Sequence, residues 1–213
     1  RARFSAMALL GMGNPLLDIS AVVDAEFLKK YDLQPANAIL AEEKHQPLYA
    51  ELQAMPNVDY VAGGATQNSI RVGQWMKKMT GVEGTSSYFG CVGKDDNAAM
   101  MQKCCADESV NAKYMVDEST PTGTCGVMVV DNDRSLCANL AAANNYKVDH
   151  TSEADNWAVV TGAKVIYSAG FFMTVSPEAI EKVSTHATAS DITYCFNLSA
   201  PFLMEVPPFK AVL

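Results

Sequence analysis

Four positions near the start of this chain could do chemistry on a hydroxylated small molecule. Asn14 and Asp18 lie four residues apart, directly after the glycine-punctuated run Gly11-Met12-Gly13. An amide and a carboxylate so placed can share the two hydroxyls of a sugar diol, because a carboxylate accepts two O–H donors. Asn and Asp also bond their own backbone in turns, so the pair alone leaves turn chemistry open. The other two positions belong to Val61-Ala62-Gly63-Gly64-Ala65-Thr66-Gln67-Asn68. Paired glycines let backbone N–H groups approach a ligand with no Cβ in the way. A helix start just behind them favours polar or anionic ligands. Asn68 then falls in the first helical turn, with its amide near whatever the glycines touch. A tight turn with no ligand fits the same spacing.

Other candidates are weaker. Arg134 sits at an expected hairpin tip, where a solvated charge is the ordinary outcome. Phe171-Phe172 follow Ala169-Gly170 at a strand end; such rings usually pack in a core, but an aromatic there can stack on a planar base. Gly11-x-Gly13 is no dinucleotide fingerprint, because Leu16 holds the third glycine position and Pro15 interrupts the turn. His45, His150 and His186 are far apart and lack metal-ligand spacing. No Ser/His/Asp or Cys/His set is convincing.

These residues need elements to hold them. Strands are expected at Met7 to Gly13, Val58 to Ala62, Thr85 to Val92, Val165 to Ser168 and Ile192 to Leu198. Helices are expected at Glu42 to Met55, with Pro47 in its first turn or weakening it, at Thr66 to Met79, Ala98 to Asp107, Trp157 to Thr161 and Pro177 to Ala189. The spacing of Ile70, Val72, Trp75, Met76 and Met79 gathers them near one face of the second of these. Such alternation predicts an α/β fold with a parallel sheet. Two segments break the rhythm, Asp18 to Leu40 and Thr120 to Leu140. Both are strand-rich, the second with a turn at Asp131-Asn132-Asp133-Arg134. They are expected to form a small separate sheet.

Composition narrows the function classes. The 213 residues carry 16 Lys and Arg against 24 Asp and Glu, a net charge of −8. Basic residues never cluster beyond two in a row, so binding to a nucleic acid polymer is not expected. No apolar run approaches 18 residues, so no membrane partner is expected either. The six cysteines show no C-x-x-C spacing and read as free thiols of a reducing compartment, cytoplasmic or nuclear. The chain starts with Arg and stops inside the apolar run Pro207 to Leu213, and it reads as cut at both ends.

Several of these segments together resemble the adenosine-phosphorylating members of the ribokinase-like carbohydrate kinase family. The matching blocks are Gly11 to Ser20, Ile39 to Glu42, Gly63 to Ser69, Pro121 to Cys125, Arg134 to Asn144, Ala169 to Glu178 and Asn197 to Phe202. The resemblance implies a three-layer α/β core with a mainly parallel sheet, whose C-terminal part is missing here. The core would hold residues 1–17, 41–118 and 143–213, with a small β lid at 18–40 and 119–142. It implies transfer of the ATP γ-phosphate to the adenosine 5′-hydroxyl, giving AMP for purine salvage, with ATP and Mg²⁺ as cofactors. Asp18 would bind the ribose hydroxyls with Asn14, Gly63, Gly64 and Asn68. Leu40, Leu136, Ala138 and Phe172 would surround the adenine, with Cys125 and Phe202 nearby. Arg134 would lie near the transferred phosphate, and Asn197 in the Mg²⁺–phosphate network.

Departures from the pattern matter too. Gly93-Lys94-Asp95-Asp96-Asn97-Ala98 has Ala98 where relatives commonly carry glycine, so a different turn is expected there. The family's Gly-Ala-Gly-Asp segment, with its anion hole and catalytic Asp, is absent. This chain alone is expected to be nearly inactive, with an apolar sheet edge bared and a place in a larger assembly left open. A non-catalytic binding subunit, or a kinase for another nucleoside or sugar, are the alternatives.

Overall fold

The computed structural model describes residues 6–199 and Leu203. Phe202 lies outside the described residues, as does the apolar run toward Leu213. In chain order the elements are β1 (Leu9–Met12), β2 (Leu16–Val22), α1 (Ala25–Lys30), β3 (Ala38–Leu40), α2 (Gln46–Gln53), β4 (Asp59–Gly63), α3 (Ala65–Thr80), β5 (Ser86–Gly93), α4 (Asp96–Asp107), β6 (Val110–Asp117), β7 (Thr124–Val130), β8 (Asp133–Asn139), α5 (Val148–Ser152), α6 (Ala154–Gly162), β9 (Val165–Ala169), α7 (Pro177–Ala189) and β10 (Thr193–Asn197).

Local chemistry explains many of the boundaries. Asp24 caps α1 by accepting from the Phe27 N–H at 2.8 Å, and Asp95 caps α4 by accepting from Ala98 N–H at 2.9 Å. Pro177 opens α7, where a missing N–H costs nothing. Pro47 likewise falls in the first turn of α2. Asp131 and Asn132 both have positive φ, 48° and 72°, which turns β7 into β8 as a two-residue hairpin loop.

Two sheets result. The first runs β10-β9-β1-β5-β6, and every pair in it is parallel. Its interior strand β5 is buried along its whole length, as expected where helices cover both faces. On one face Ile70 of α3 packs with Tyr88, Val110 and Ala112. On the other, Val160 of α6 and Ile180 and Val183 of α7 pack with Leu10, Met12, Phe89 and Ile166. The second sheet runs β3-β8-β7-β2-β4 and is mixed, with β2–β4 and β7–β8 antiparallel. One of its faces carries α1 and α2, where Ile19, Ala21, Met128 and Cys137 meet Phe27, Leu28, Leu48 and Leu52.

The second sheet is larger than the two rhythm-breaking segments. It begins at Leu16 and takes in β4, which the expected boundaries place in the core, and α2 packs on it as well. A strand running into a glycine-led helix looks like half of a βαβ unit. Here the strand pairs antiparallel with β2, and the chain crosses into the core only at Gly64.

Helix α3 also lies with its expected face reversed. Ile70 is buried, but Val72, Trp75, Met76 and Met79 are 54–70% exposed. The face against the sheet carries Thr66, Gln67, Gln74 and Lys77 instead. Their polar groups are matched by directed bonds. Lys77 Nζ donates to Gly84 O at 2.7 Å, and Ser86 Oγ donates to Gln74 Oε1 at 2.7 Å. Gly73 lets the helix settle on Leu9. In a Trp157→Phe variant of the 213-residue chain, Trp75 is the one remaining tryptophan. Its emission is expected at the wavelength of a hydrated indole and to be quenched by iodide. A blue-shifted, iodide-resistant emission contradicts the exposed setting.

Ala98 needs no glycine: it lies within α4 and is not among the residues of positive φ. The turn is held through Asp95, which also accepts from Thr122 N–H at 2.7 Å and Thr122 Oγ at 2.6 Å. That ties the end of β5 to the loop entering β7.

Candidate functional site

The free face of the mixed sheet holds one aligned row of side chains. Asp18 is opposite Val61 on β4 and Cys125 on β7; Cys125 is opposite Ala138 on β8; Ala138 is opposite Leu40 on β3. Two residues along, Val127 faces Leu136. Side chains alternate across a strand, so this row shares one face, away from α1 and α2. Leu16, Cys125, Val127, Leu136, Ala138 and Leu40 thus make an apolar wall with a single carboxylate set in it. Leu40 is 58% exposed, so the wall is open to solvent.

The wall meets the parallel sheet at the glycine loop. A Cβ on Gly63 would lie 2.2 Å from Asp18 Oδ1, so the carboxylate occupies the space a side chain would need. Gly64 has φ +93°, and a Cβ there would lie 2.3 Å from the carbonyl oxygen of Asn14. Asn14 follows β1, the strand at which the order of the sheet reverses. Ligands of parallel α/β sheets bind at that place, beyond the carboxyl ends of the strands.

Electrostatics marks this junction as unfinished. Burial pushes the Asp18 carboxyl up to about 6, against the pull of the Arg71 and Arg134 charges. Among the described residues no hydrogen-bond donor contributes to holding it ionised. Asn14 Oδ1 is buried without a hydrogen-bond partner among the described residues, as are Thr66 Oγ and Tyr88 OH behind Gly13. Buried polar atoms left unpaired are uncommon in folded proteins; the Asn14 oxygen can only accept, whereas the two hydroxyls can donate or accept. Burial, with the Asp18 charge second, pushes the Cys125 thiol up to about 12, so it acts as an apolar wall residue and not as a nucleophile.

The other expected site residues stand in different settings. Asn68 lies in the first turn of α3, its N–H bonded to Gly64 O at 2.9 Å, and its side chain turns toward Arg71. Arg134 is exposed on β8, with its charge still reaching Asp18. Phe172 is 1% exposed and packs against Tyr146 with ring centroids 5.3 Å apart. It is a core residue, and the exposed ring beside it is Phe171, at 42%. Asn197 ends β10, and its Oδ1 accepts from Ser199 N–H at 2.5 Å. Among the described residues no three of His, Cys, Asp or Glu converge to hold a metal ion. Gln67, Arg71 and Glu108 were not singled out from the sequence. Gln67 Nε2 donates to Gly63 O at 2.8 Å and holds the loop from below. A polar residue facing the core from the first turn of a helix was the signal for it.

The sequence profile described as pfkB family carbohydrate kinase matches residues 25–212. The chain belongs to this family. Adenosine kinase 2 of Arabidopsis thaliana is 59% identical over 197 residues, covering 92% of this chain and 56% of that protein. The crystal structure of Anopheles gambiae adenosine kinase in complex with a di(adenosine-5) tetraphosphate is similar, with a TM-score of 0.86 and 44% identity. That match covers 96% of this chain and 61% of the other. The apo structure of Trypanosoma brucei brucei adenosine kinase gives a TM-score of 0.90 at 31% identity, covering 98% of this chain and 62% of the other. The chain thus spans little more than half the length of the pfkB relatives it matches. Its fold is the α/β fold of those kinases, over that part.

Proposed function

We propose that the intact protein is an adenosine kinase, transferring the ATP γ-phosphoryl group to the adenosine 5′-hydroxyl, and that this chain supplies the nucleoside side of the site. The observation that carries the reading is Asp18, a carboxylate without donors among the described residues, seated on Gly63 and set in an apolar wall. A ribose diol brings two O–H donors to that carboxylate, and the unpaired Asn14 Oδ1 is a further acceptor of the same loop region. The wall of Leu40, Leu136, Ala138 and Cys125 takes a flat, weakly polar base, which a free sugar lacks. The similarity to adenosine kinases supports the same choice. Mg²⁺ belongs to the proposed reaction, but no step is assigned to it from these residues.

Calorimetric titration of the intact protein with adenosine tests this. Asp18→Asn keeps the shape and loses the charge, so adenosine should bind at least tenfold more weakly, since hydrogen bonds to a charged group contribute about 1.5–3 kcal/mol each. Unchanged affinity in Asp18→Asn, or a preference for ribose over adenosine, overturns the reading. The pH dependence has a definite sign. The diol needs the ionised carboxylate, so below about pH 6 a proton must leave as adenosine binds. Affinity should fall about tenfold per pH unit below that point and level off above it.

A further inference from the structure

Arg71 makes a set of contacts that meets beside the glycine loop. It lies on α3, three residues after Asn68, with its side chain 17% exposed. Its Nε and Nη2 donate to the two oxygens of Glu108 at 2.7 and 2.6 Å. This is the bidentate fork in which a guanidinium is most firmly oriented. The remaining nitrogen, Nη1, donates to Asn68 Oδ1 at 3.1 Å and also to Ala62 O. Ala62 is the residue before the glycine pair. Arg71 therefore joins the end of α4, the end of β4 and the first turn of α3 at one point.

A guanidinium only donates, so the atom of Asn68 that faces it must be the amide oxygen. The amide nitrogen is then the atom left for anything else. We propose that Arg71, clamped by Glu108, is a positioning residue of the nucleoside site, fixing the Asn68 amide so that it offers a ligand its donor side. The inference rests on the nucleoside reading above. It gives the site a division of labour: Asp18 and Asn14 offer acceptors, and Asn68 offers donors. A ribose hydroxyl both donates and accepts, so a diol can satisfy both kinds of partner.

The same guanidinium is the larger of two positive charges acting on Asp18. The groups facing Asp18 are Arg71 from α3, Arg134 from β8 and the Cys125 thiol from β7. Removing Arg71 should therefore raise the pH at which Asp18 ionises.

The test compares Arg71→Met and Arg71→Lys with the unaltered protein. Two readouts need no ligand: the side-chain amide signals of Asn68 and the titration of the Asp18 carboxyl, both followed by NMR. The third is the adenosine titration, with Asp18→Asn beside it. In Arg71→Met the Asn68 amide should lose its fixed environment and the Asp18 midpoint should rise. Adenosine affinity should fall about two- to tenfold, the effect of one hydrogen bond between neutral groups. Arg71→Lys keeps the charge without the fork, so it should restore the Asp18 midpoint and leave the Asn68 signals altered. Unchanged Asn68 signals in a folded Arg71→Met overturn the proposal, as does unchanged adenosine affinity where Asp18→Asn weakens it. If Asp18→Asn leaves adenosine affinity intact, the nucleoside reading fails, and the Asn68 signals still decide whether Arg71 orients that amide.

Discussion

Replacing Gly64 by alanine is expected to destabilise the fold and remove nucleoside binding in one step. The backbone at Gly64 has φ +93° and ψ 129°, a region that residues with a Cβ scarcely enter. That strain alone costs about 1–3 kcal/mol. The added Cβ would also lie 2.3 Å from the Asn14 carbonyl oxygen, a backbone atom that cannot rotate aside. Asn14 would have to shift, and with it its buried, unpaired Oδ1. Gly81→Ala is the matched control. Gly81 ends α3 at φ +69°, but a Cβ there meets nothing within 4 Å, so it carries only the conformational cost of roughly 1 kcal/mol. Urea unfolding should rank Gly64→Ala well below Gly81→Ala, and only Gly64→Ala should lose adenosine binding. Equal stability of the two variants would mean that the Asn14 contact is not tight.

The second large effect is expected at Phe172, and it is an effect on the core. Phe172 packs among Leu10, Met12, Phe89 and Tyr146. Truncation to alanine should destabilise by about 3–5 kcal/mol, as large aromatic-to-alanine changes in cores do. That is a large part of the 5–15 kcal/mol by which domains are typically stable. Phe172→Leu keeps most of the volume and should cost only about 1–1.5 kcal/mol. It should bind adenosine as the unaltered protein does. If Phe172→Leu folds well and binds at least tenfold more weakly, the ring stacks on the base and the core assignment is wrong. Thermal unfolding with adenosine titration separates the two.

Much of this architecture was legible in the sequence, for reasons that are local. Pro177 marked the start of α7, Asp131-Asn132 marked a hairpin, and Gly63-Gly64 marked the strand-to-helix turn. Each follows from a residue's own backbone preferences or capping chemistry. What was not legible depends on distant partners. Periodicity found a stripe on α3 but could not say that the opposite side faces the sheet, because Lys77 and Gln74 are buried only by virtue of Gly84 and Ser86. The sheet to which β4 belongs is set by its pairing with β2, forty residues earlier. Of the two adjacent phenylalanines, the turn at Gly170 sends Phe172 inward and leaves Phe171 half out. In the site, the Asn14, Asp18 and Gly63-Gly64 cluster was readable from residue types, whereas the Arg71–Glu108 clamp needs α4 folded beside α3.

The aligned row Val61, Asp18, Cys125, Ala138 and Leu40 draws one residue from each of five strands. Its members can change type with only local effect, but a deletion or insertion of one residue within any of those strands turns everything beyond it to the opposite face. In β2 such a slip would drive the Asp18 carboxylate among Phe27, Leu28 and Leu48 and send Ile19 out to solvent. Changes in length should therefore be tolerated at the Asp131-Asn132 tip and refused inside β2, β4 and β7. In this sheet the count of residues between turns is held more tightly than their identities.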